Sequence, residues 1–387
     1  KTSTWTMMIS VVGLPSLILS FVTGSTAALT TTCKGSRLPE GRLHIAYATG
    51  RSLREGKVVE ACCEHGVNVI VWAFAHLTAD GVEPTFDVEE VVRTKALIAD
   101  RGHDVVHLVS FGGWNGPHPS TRRSGKEWYD IWKKWNTGVF DGVDWDLEGH
   151  DDPTAETTTL TPALIALIVE FSALARSDGY VAGLAPPESY LDVGSSTFDL
   201  ELNHQPRSPW DFSFPYAGRN AYAAILAEYQ DFDFVSVQFY EGYSSACYAL
   251  TRQGQNPADY LVDRARRFAD GFDVEVDDGR SFRVKVPPER LVFGFANGWA
   301  DGQKFVRFDP HDIAQAFHRL GHKRAPRGTM FWVLDEEGVD APHHPVAMAP
   351  LRRSKLEDSP YFFARDLTDA FRKTEVAAKL ATLADDW

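Results

Sequence analysis

The sequence predicts an α/β protein built as a single domain on a (β/α)8 TIM barrel. Three observations lead there. From residue 42 onward, short apolar runs of strand character alternate with helical stretches eight times in succession. The runs are apolar almost without interruption, as in Val67-Asn68-Val69-Ile70-Val71-Trp72-Ala73-Phe74-Ala75, the pattern of a parallel strand buried on both faces. The 387 residues suffice for one large barrel, and no repeat, low-complexity segment or second domain interrupts them.

Leu43–Ala48 reads as the first strand and residues 52–65 as its helix. Val67–Ala75 is the second strand; Asp87 is placed to cap a helix running to about Ala99. The third strand is Asp104–Gly113, ending in glycines, and residues 125–137 form a helix. The fourth strand lies within residues 140–149. Thr161-Pro162 opens the next helix with proline at its first position, and Gly179 stands near its end. Tyr180–Ala185 is the fifth strand, followed by Pro186-Pro187-Glu188 and a long polar connection over 191–215, expected on the ligand side. Residues 219–229 are helical, Phe234–Tyr240 is the sixth strand and 256–269 a helix. A small insertion near 272–286 alternates like a hairpin. Arg290–Asn297 is the seventh strand, 310–320 a helix and Gly328–Leu334 the eighth strand. A Pro-rich loop over 338–359 precedes a last helix near 361–372.

Hydrophobic residues make up 44% and charged residues 24%, as in ordinary globular chains. The net charge of −14 argues against nucleic acid or an anionic membrane as partner. Residues 7–28 are apolar and close on small residues around Ala27 and Ala28, which reads as a secretory signal peptide over 1–28. No later run is long enough to insert stably in a membrane. The division that follows is 1–28 leader, 29–41 linker, 42–375 barrel and 376–387 tail. Cys33, Cys62, Cys63 and Cys247 permit two disulfides without specifying a pairing, and no cysteine spacing suggests a zinc site.

The most informative stretch is Phe140-Asp141-Gly142-Val143-Asp144-Trp145-Asp146-Leu147-Glu148-Gly149. Side chains two apart share a face of a strand, so Asp144, Asp146 and Glu148 point one way and Val143, Trp145 and Leu147 the other. Neighbours in the acidic row stand roughly 6–7 Å apart, at about 3.3 Å of rise per residue. Like charges so close disfavour joint ionisation, so at least one carboxyl holds a proton near neutral pH and can serve as a general acid. A divalent-metal site and an exposed acidic strand are the alternatives.

This stretch resembles the D-G-x-D-x-D-x-E signature of the family-18 glycoside hydrolases, the chitinase family, with every defining position filled. The resemblance covers most of residues 42–372. It implies that Glu148 protonates the glycosidic oxygen, that Asp146 orients the substrate's own acetamide as nucleophile, and that Asp144 shares a proton with Asp146. Asp141, of the wrong parity for the acidic face, becomes a structural member through the resemblance alone. Ser110-Phe111-Gly112-Gly113 resembles the family's S-x-G-G segment. Gly112 and Gly113 would let sugar or neighbouring backbone approach closely, while Ser110 and Tyr47 would donate to Asp144. Gln238-Phe239-Tyr240 resembles the sixth-strand Q-x-Y segment. Its tyrosine holds the acetamide in the family, but Glu241 follows where relatives usually carry Asn or Asp. Trp332 resembles the tryptophan under the distorted sugar. Trp114 and Trp299 are weaker binding candidates, with wall or core as the alternative.

The resemblance thus implies a secreted or lumenal, monomeric, endo-acting chitinase that needs no cofactor or metal and binds chitin or another N-acetylglucosamine-containing oligosaccharide. An endo-β-N-acetylglucosaminidase acting on N-glycans and a non-catalytic chitinase-like lectin are the alternatives. The short span 298–327 implies that the α+β insertion found in some relatives is missing.

Overall fold

The computed structural model describes residues 37–385, less 153, 204–218, 277–278, 280, 301, 303–304 and 339–360. The expected leader, most of the linker, Cys33, residues 204–215 of the long connection and nearly all of the 338–359 loop lie outside the described residues.

In chain order the elements are β1 (Leu43–Ala48), α1 (Gly50–Arg54), α2 (Lys57–Cys63), β2 (Val69–Thr78), β3 (Gly81–Pro84), α3 (Val88–Asp100), β4 (Val106–Gly112), α4 (Gly125–Trp135) and β5 (Gly142–Asp146). There follow α5 (Pro162–Ser177), β6 (Val181–Leu184), α6 (Ala223–Glu228), β7 (Phe234–Gln238), α7 (Ser245–Cys247), α8 (Pro257–Asp270), β8 (Phe272–Glu275), β9 (Ser281–Val284), β10 (Leu291–Ala296), α9 (Pro310–Leu320), β11 (Gly328–Trp332) and α10 (Phe363–Asp385). Local chemistry accounts for the helix starts. Asp87 accepts from the Glu89 and Glu90 amides, Ser124 and Glu127 form a reciprocal capping box, and Thr161, Asn256 and Asp309 each cap a helix with proline in its first turn.

Eight strands run parallel in the order β1-β11-β10-β7-β6-β5-β4-β2, and β1 pairs with β2 to close the barrel. The fold is therefore the predicted (β/α)8 barrel. Four details differ from the sequence reading. The helix expected over 52–65 is broken into α1 and α2 at Gly56, whose φ of 71° lies in the left-handed region. The short β3, Gly-Val-Glu-Pro, had no strand signal; it pairs antiparallel along the end of β2. Helix α6 is shorter than expected, and α10 runs on through the segment expected as a tail as far as Asp385. The hairpin expected near 272–286 is the β8–β9 pair.

Two apolar layers hold the strands. Between barrel and helices, Val143, Trp145 and Leu147 of the acidic segment pack with Phe111, Trp132 and Phe171. Fully burying a Leu or Phe there contributes about 1.5–3 kcal/mol. Inside the barrel, Leu43, Ile45, Val69, Val71, Leu108, Phe234 and Met330 fill the lower part. Asp144 and Asp146 project into that interior, on the parity read from the sequence. Among the described residues, no helix is long and apolar enough to cross a membrane. Cys62 and Cys63 are not bridged; Cys62 is buried behind the strands, where desolvation raises its thiol pKa.

Candidate active site

The acidic row climbs the barrel interior toward the C-terminal strand ends. Asp144 is completely buried; its Oδ2 accepts from the Tyr47 hydroxyl at 2.6 Å and the Ser110 hydroxyl at 2.9 Å. Burial pushes its pKa up to about 6 against the pull of those two donors. Its Oδ1 has no partner and faces Gly183, where a Cβ would come within 2.9 Å. Asp146 takes Gln238 Nε2 on Oδ1 at 2.8 Å and shares a hydrogen bond with Glu148. Burial first, then the charge on Asp144, raise its pKa well above the usual carboxylate range. Glu148, two residues past β5, accepts from the Trp114 amide. Burial, then Asp146 and Glu241, raise its pKa strongly too. Three buried acids stacked this closely resist joint ionisation, which favours protons on the row at neutral pH.

Gln238 and Tyr240 share a parity and stand beside the row, the Tyr240 hydroxyl donating to Gln238 Oε1. Trp332 lies nearly parallel to Phe74, at a ring separation of 5.7 Å, and receives the Trp299 indole N–H on its carbonyl at 2.7 Å. Trp114 is 39% exposed at the rim, its Nε1 donating to Asp151 at 3.0 Å. Together these residues border a cleft of about 330 Å³ lined by Asp146, Glu148, Gln238, Tyr240, Trp114 and Trp332, with Phe74, Asp151, Glu241, Tyr243, Trp299 and Phe305.

Three residues expected at the substrate do not line that cleft. Tyr47 lies beneath it, engaged with Asp144. A Cβ on Gly112 (φ 114°) would fall 2.1 Å from the Asp146 carbonyl oxygen, and one on Gly113 (φ 83°) 2.5 Å from the Phe74 ring. Both glycines thus admit neighbouring protein atoms. Asp141 sits at the opposite end of β5, accepting from the His107 amide at 2.9 Å and lying 3.4 Å from Lys95 Nζ. It anchors the strand's entry.

Sequence reasoning missed Phe74 and gave Glu241 no place in the site. Parity along β2 turns Phe74 away from the interior, but the β2–β4 register shifts between Trp72 and Ala75 and reverses it. Glu241 is buried on the cleft wall, accepting from Tyr243 at 2.7 Å and Ser189 at 3.2 Å, and burial raises its pKa to about 8. Its position directly after Tyr240 was the available signal. Outside the cleft, Glu60, Glu64 and His65 bring ligand atoms within 4.8 Å of one another, a partly exposed acidic cluster with nothing else to mark it as a metal site.

Fold and site together define a (β/α)8 barrel with an acid-lined, aromatic-floored cleft at the C-terminal ends of its strands, where the reactive groups of such barrels lie. No family model and no curated protein matches the sequence. Among solved structures, a family-18 chitinase from Chromobacterium violaceum is similar over 87% of this chain and 85% of that one, with a TM-score of 0.55 and 18% identity. A family-18 chitinase from Pseudoalteromonas aurantia is similar over 86% of this chain and 99% of its own, with a TM-score of 0.53 and 14% identity. The C-terminal domain of Legionella pneumophila ChiA covers 76% of this chain and 93% of its own, at a TM-score of 0.50 and 14% identity. The fold of this chain is that of the family-18 glycoside hydrolases.

Proposed function

We propose that this protein is a family-18 glycoside hydrolase, a secreted chitinase that cleaves β-1,4 links between N-acetylglucosamine units with retention. The observation that carries the reading is Glu148, buried two residues past β5 and hydrogen-bonded to Asp146, which Gln238 orients; burial and the neighbouring acids favour its protonated form. Glu148 donates its proton to the glycosidic oxygen as that bond breaks. The N-acetyl carbonyl oxygen of the same sugar attacks the anomeric carbon from the opposite face, forming an oxazolinium ion. Asp146 accepts from the acetamide N–H and offsets the developing charge, while Tyr240 holds the acetamide. Glu148, now a carboxylate, takes a proton from water, which opens the oxazolinium and restores the original configuration. No cofactor is called for. The sugar rests on Trp332, whose face offers the apolar surface that ring stacking needs.

Helix α9 begins at Pro310, soon after β10 ends at Ala296, which supports a cleft without an added wall and hence endo cleavage. The presence of Glu148 argues against a purely sugar-binding lectin. The test is turnover of chitin oligomers beside a high-mannose glycopeptide and a cello-oligomer, with product anomers followed by NMR. Retaining cleavage of the chitin oligomers with an inert cello-oligomer is expected. Cleavage of the glycopeptide alone would reassign the protein as an endo-β-N-acetylglucosaminidase, and efficient cleavage of the cello-oligomer would remove the acetamide from the mechanism.

A further inference from the structure

The backbone that carries Asp146, Leu147 and Glu148 runs past the end of its own ladder. Along the β5–β6 edge the Val181 amide donates to Asp141 O and the Ala185 amide to Trp145 O, each at 2.9 Å. The donor due next in that register is residue 187, which is proline and has no N–H to give to Leu147 O. The acceptor due for the Leu147 amide is Ala185 O, and that oxygen is taken by Gln238 Nε2 at 2.6 Å. Leu147 is fully buried, so both its peptide groups would be left without partners. One side chain takes both. The Tyr222 hydroxyl accepts from the Leu147 amide at 2.6 Å and donates to the Leu147 carbonyl at 3.0 Å. Tyr222 is fully buried just before α6, and its ring lies parallel to that of Tyr190, 6.3 Å away. The opposite edge is held from β4 and the loop after it. The Gly113 amide reaches Asp146 O at 2.6 Å, and His118 Nε2 stands 3.0 Å from Glu148 O.

We propose that Tyr222 is a positioning residue of the active site: its hydroxyl stands in for the missing strand neighbour at Leu147 and so sets the spacing between the Asp146 and Glu148 carboxyls. The inference rests on Glu148 being the acid. Tyr222 touches no substrate; it works through the peptide between the two acids. Without its hydroxyl the segment is free to move outward, the carboxyls separate, and their mutual repulsion falls.

The experiment compares Tyr222→Phe with Tyr190→Phe. The second variant also removes a buried phenol hydroxyl, one that donates to Leu202 O at 2.7 Å, away from Leu147. Tyr222→Phe should lower kcat on chitin oligomers by about ten- to a hundredfold with KM nearly unchanged, the cost expected of a small misplacement. Its alkaline limb should move to lower pH, because Glu148 loses part of the repulsion that holds its proton. Tyr190→Phe should change stability without moving that limb. Equal effects of the two variants on kcat and on the limb would overturn the proposal. Two measurements need no substrate. Carboxyl 13C titration should show the Asp146–Glu148 pair titrating at lower pH in Tyr222→Phe. In the unmodified protein the Leu147 amide should exchange with solvent as slowly as the amides of β5; exchange at loop rates would overturn the clamp even if Tyr222→Phe cannot be purified folded. If the unmodified protein cleaves no N-acetylglucosamine polymer, the functional reading fails, while titration and exchange still decide the clamp.

Discussion

Replacing Asp146 by Asn should move the alkaline limb of the pH–rate profile downward. Glu148 must hold its proton to act, so that limb marks the pH at which the coupled pair loses its last proton. Desolvation raises the Glu148 pKa most, and the Asp146 charge is the next cause. Charge centres of hydrogen-bonded carboxyls lie about 4 Å apart, where the repulsion is about 4 kcal/mol at an effective dielectric of about 20. At about 1.4 kcal/mol per unit, its removal is worth up to about 3 pH units. Hydrogen bonding adds to the fall. Gln238 Nε2 donates to Asp146 Oδ1, so an Asn there turns its oxygen to Gln238 and its NH2 to Glu148. That NH2 stabilises ionised Glu148. Burial remains, so the limb should settle above the ordinary glutamate range. The assay is kcat against pH on a fluorogenic N,N′-diacetylchitobioside, where kcat should also fall. A limb within about 0.3 units of the original, a tenth of the full repulsion, would refute the coupling.

Glu148→Gln keeps the shape and removes the transferable proton, so kcat should drop by roughly two to four decades with oligosaccharide binding retained, checked by calorimetry. Glu241→Gln tests linkage. The folded-state pKa of Glu241 is raised to about 8, so its stabilising contribution is complete below the unfolded value near 4.5 and is lost as pH rises through about 8. The melting temperature of the variant relative to the parent should therefore climb between about pH 4.5 and 8 and level off above; a constant difference refutes the shift. Gly113→Ala drives a Cβ to 2.5 Å from the Phe74 ring at a φ of 83°, and should cost about 1–3 kcal/mol with a lower melting temperature and slower turnover. An alanine variant as stable and active as the parent would show that Phe74 can yield.

Much of the fold follows from one-dimensional pattern. Strand and helix periods differ, and apolar runs such as Val67–Ala75 belong to a sheet covered on both faces, so the barrel was legible from residue 42 onward. The acidic row was legible for the same reason. A period of two is local, and it puts Asp144, Asp146 and Glu148 on one face and Val143, Trp145 and Leu147 on the other wherever the strand lies. Parity also brought Gln238 and Tyr240 to the cleft.

Tertiary structure alone decided how far the reach of each residue extends. Tyr47 and Trp332 both sit near strand ends, yet Tyr47 is buried against Asp144 and Trp332 borders the cleft, a difference that strand period does not contain. A single register shift in β2 reversed the parity that hid Phe74. Glycine motifs signal close approach without saying to what, and at Gly112 and Gly113 the answer is the Asp146 carbonyl and the Phe74 ring. Tyr222 lies 75 residues from Leu147, and only closure of the barrel brings its hydroxyl to the one peptide that Pro187 and Gln238 leave unpaired. Hydrogen-bond debts of this kind arise where the chain leaves its ladder, so the residue that meets them is chosen by packing in space, which sequence spacing does not encode.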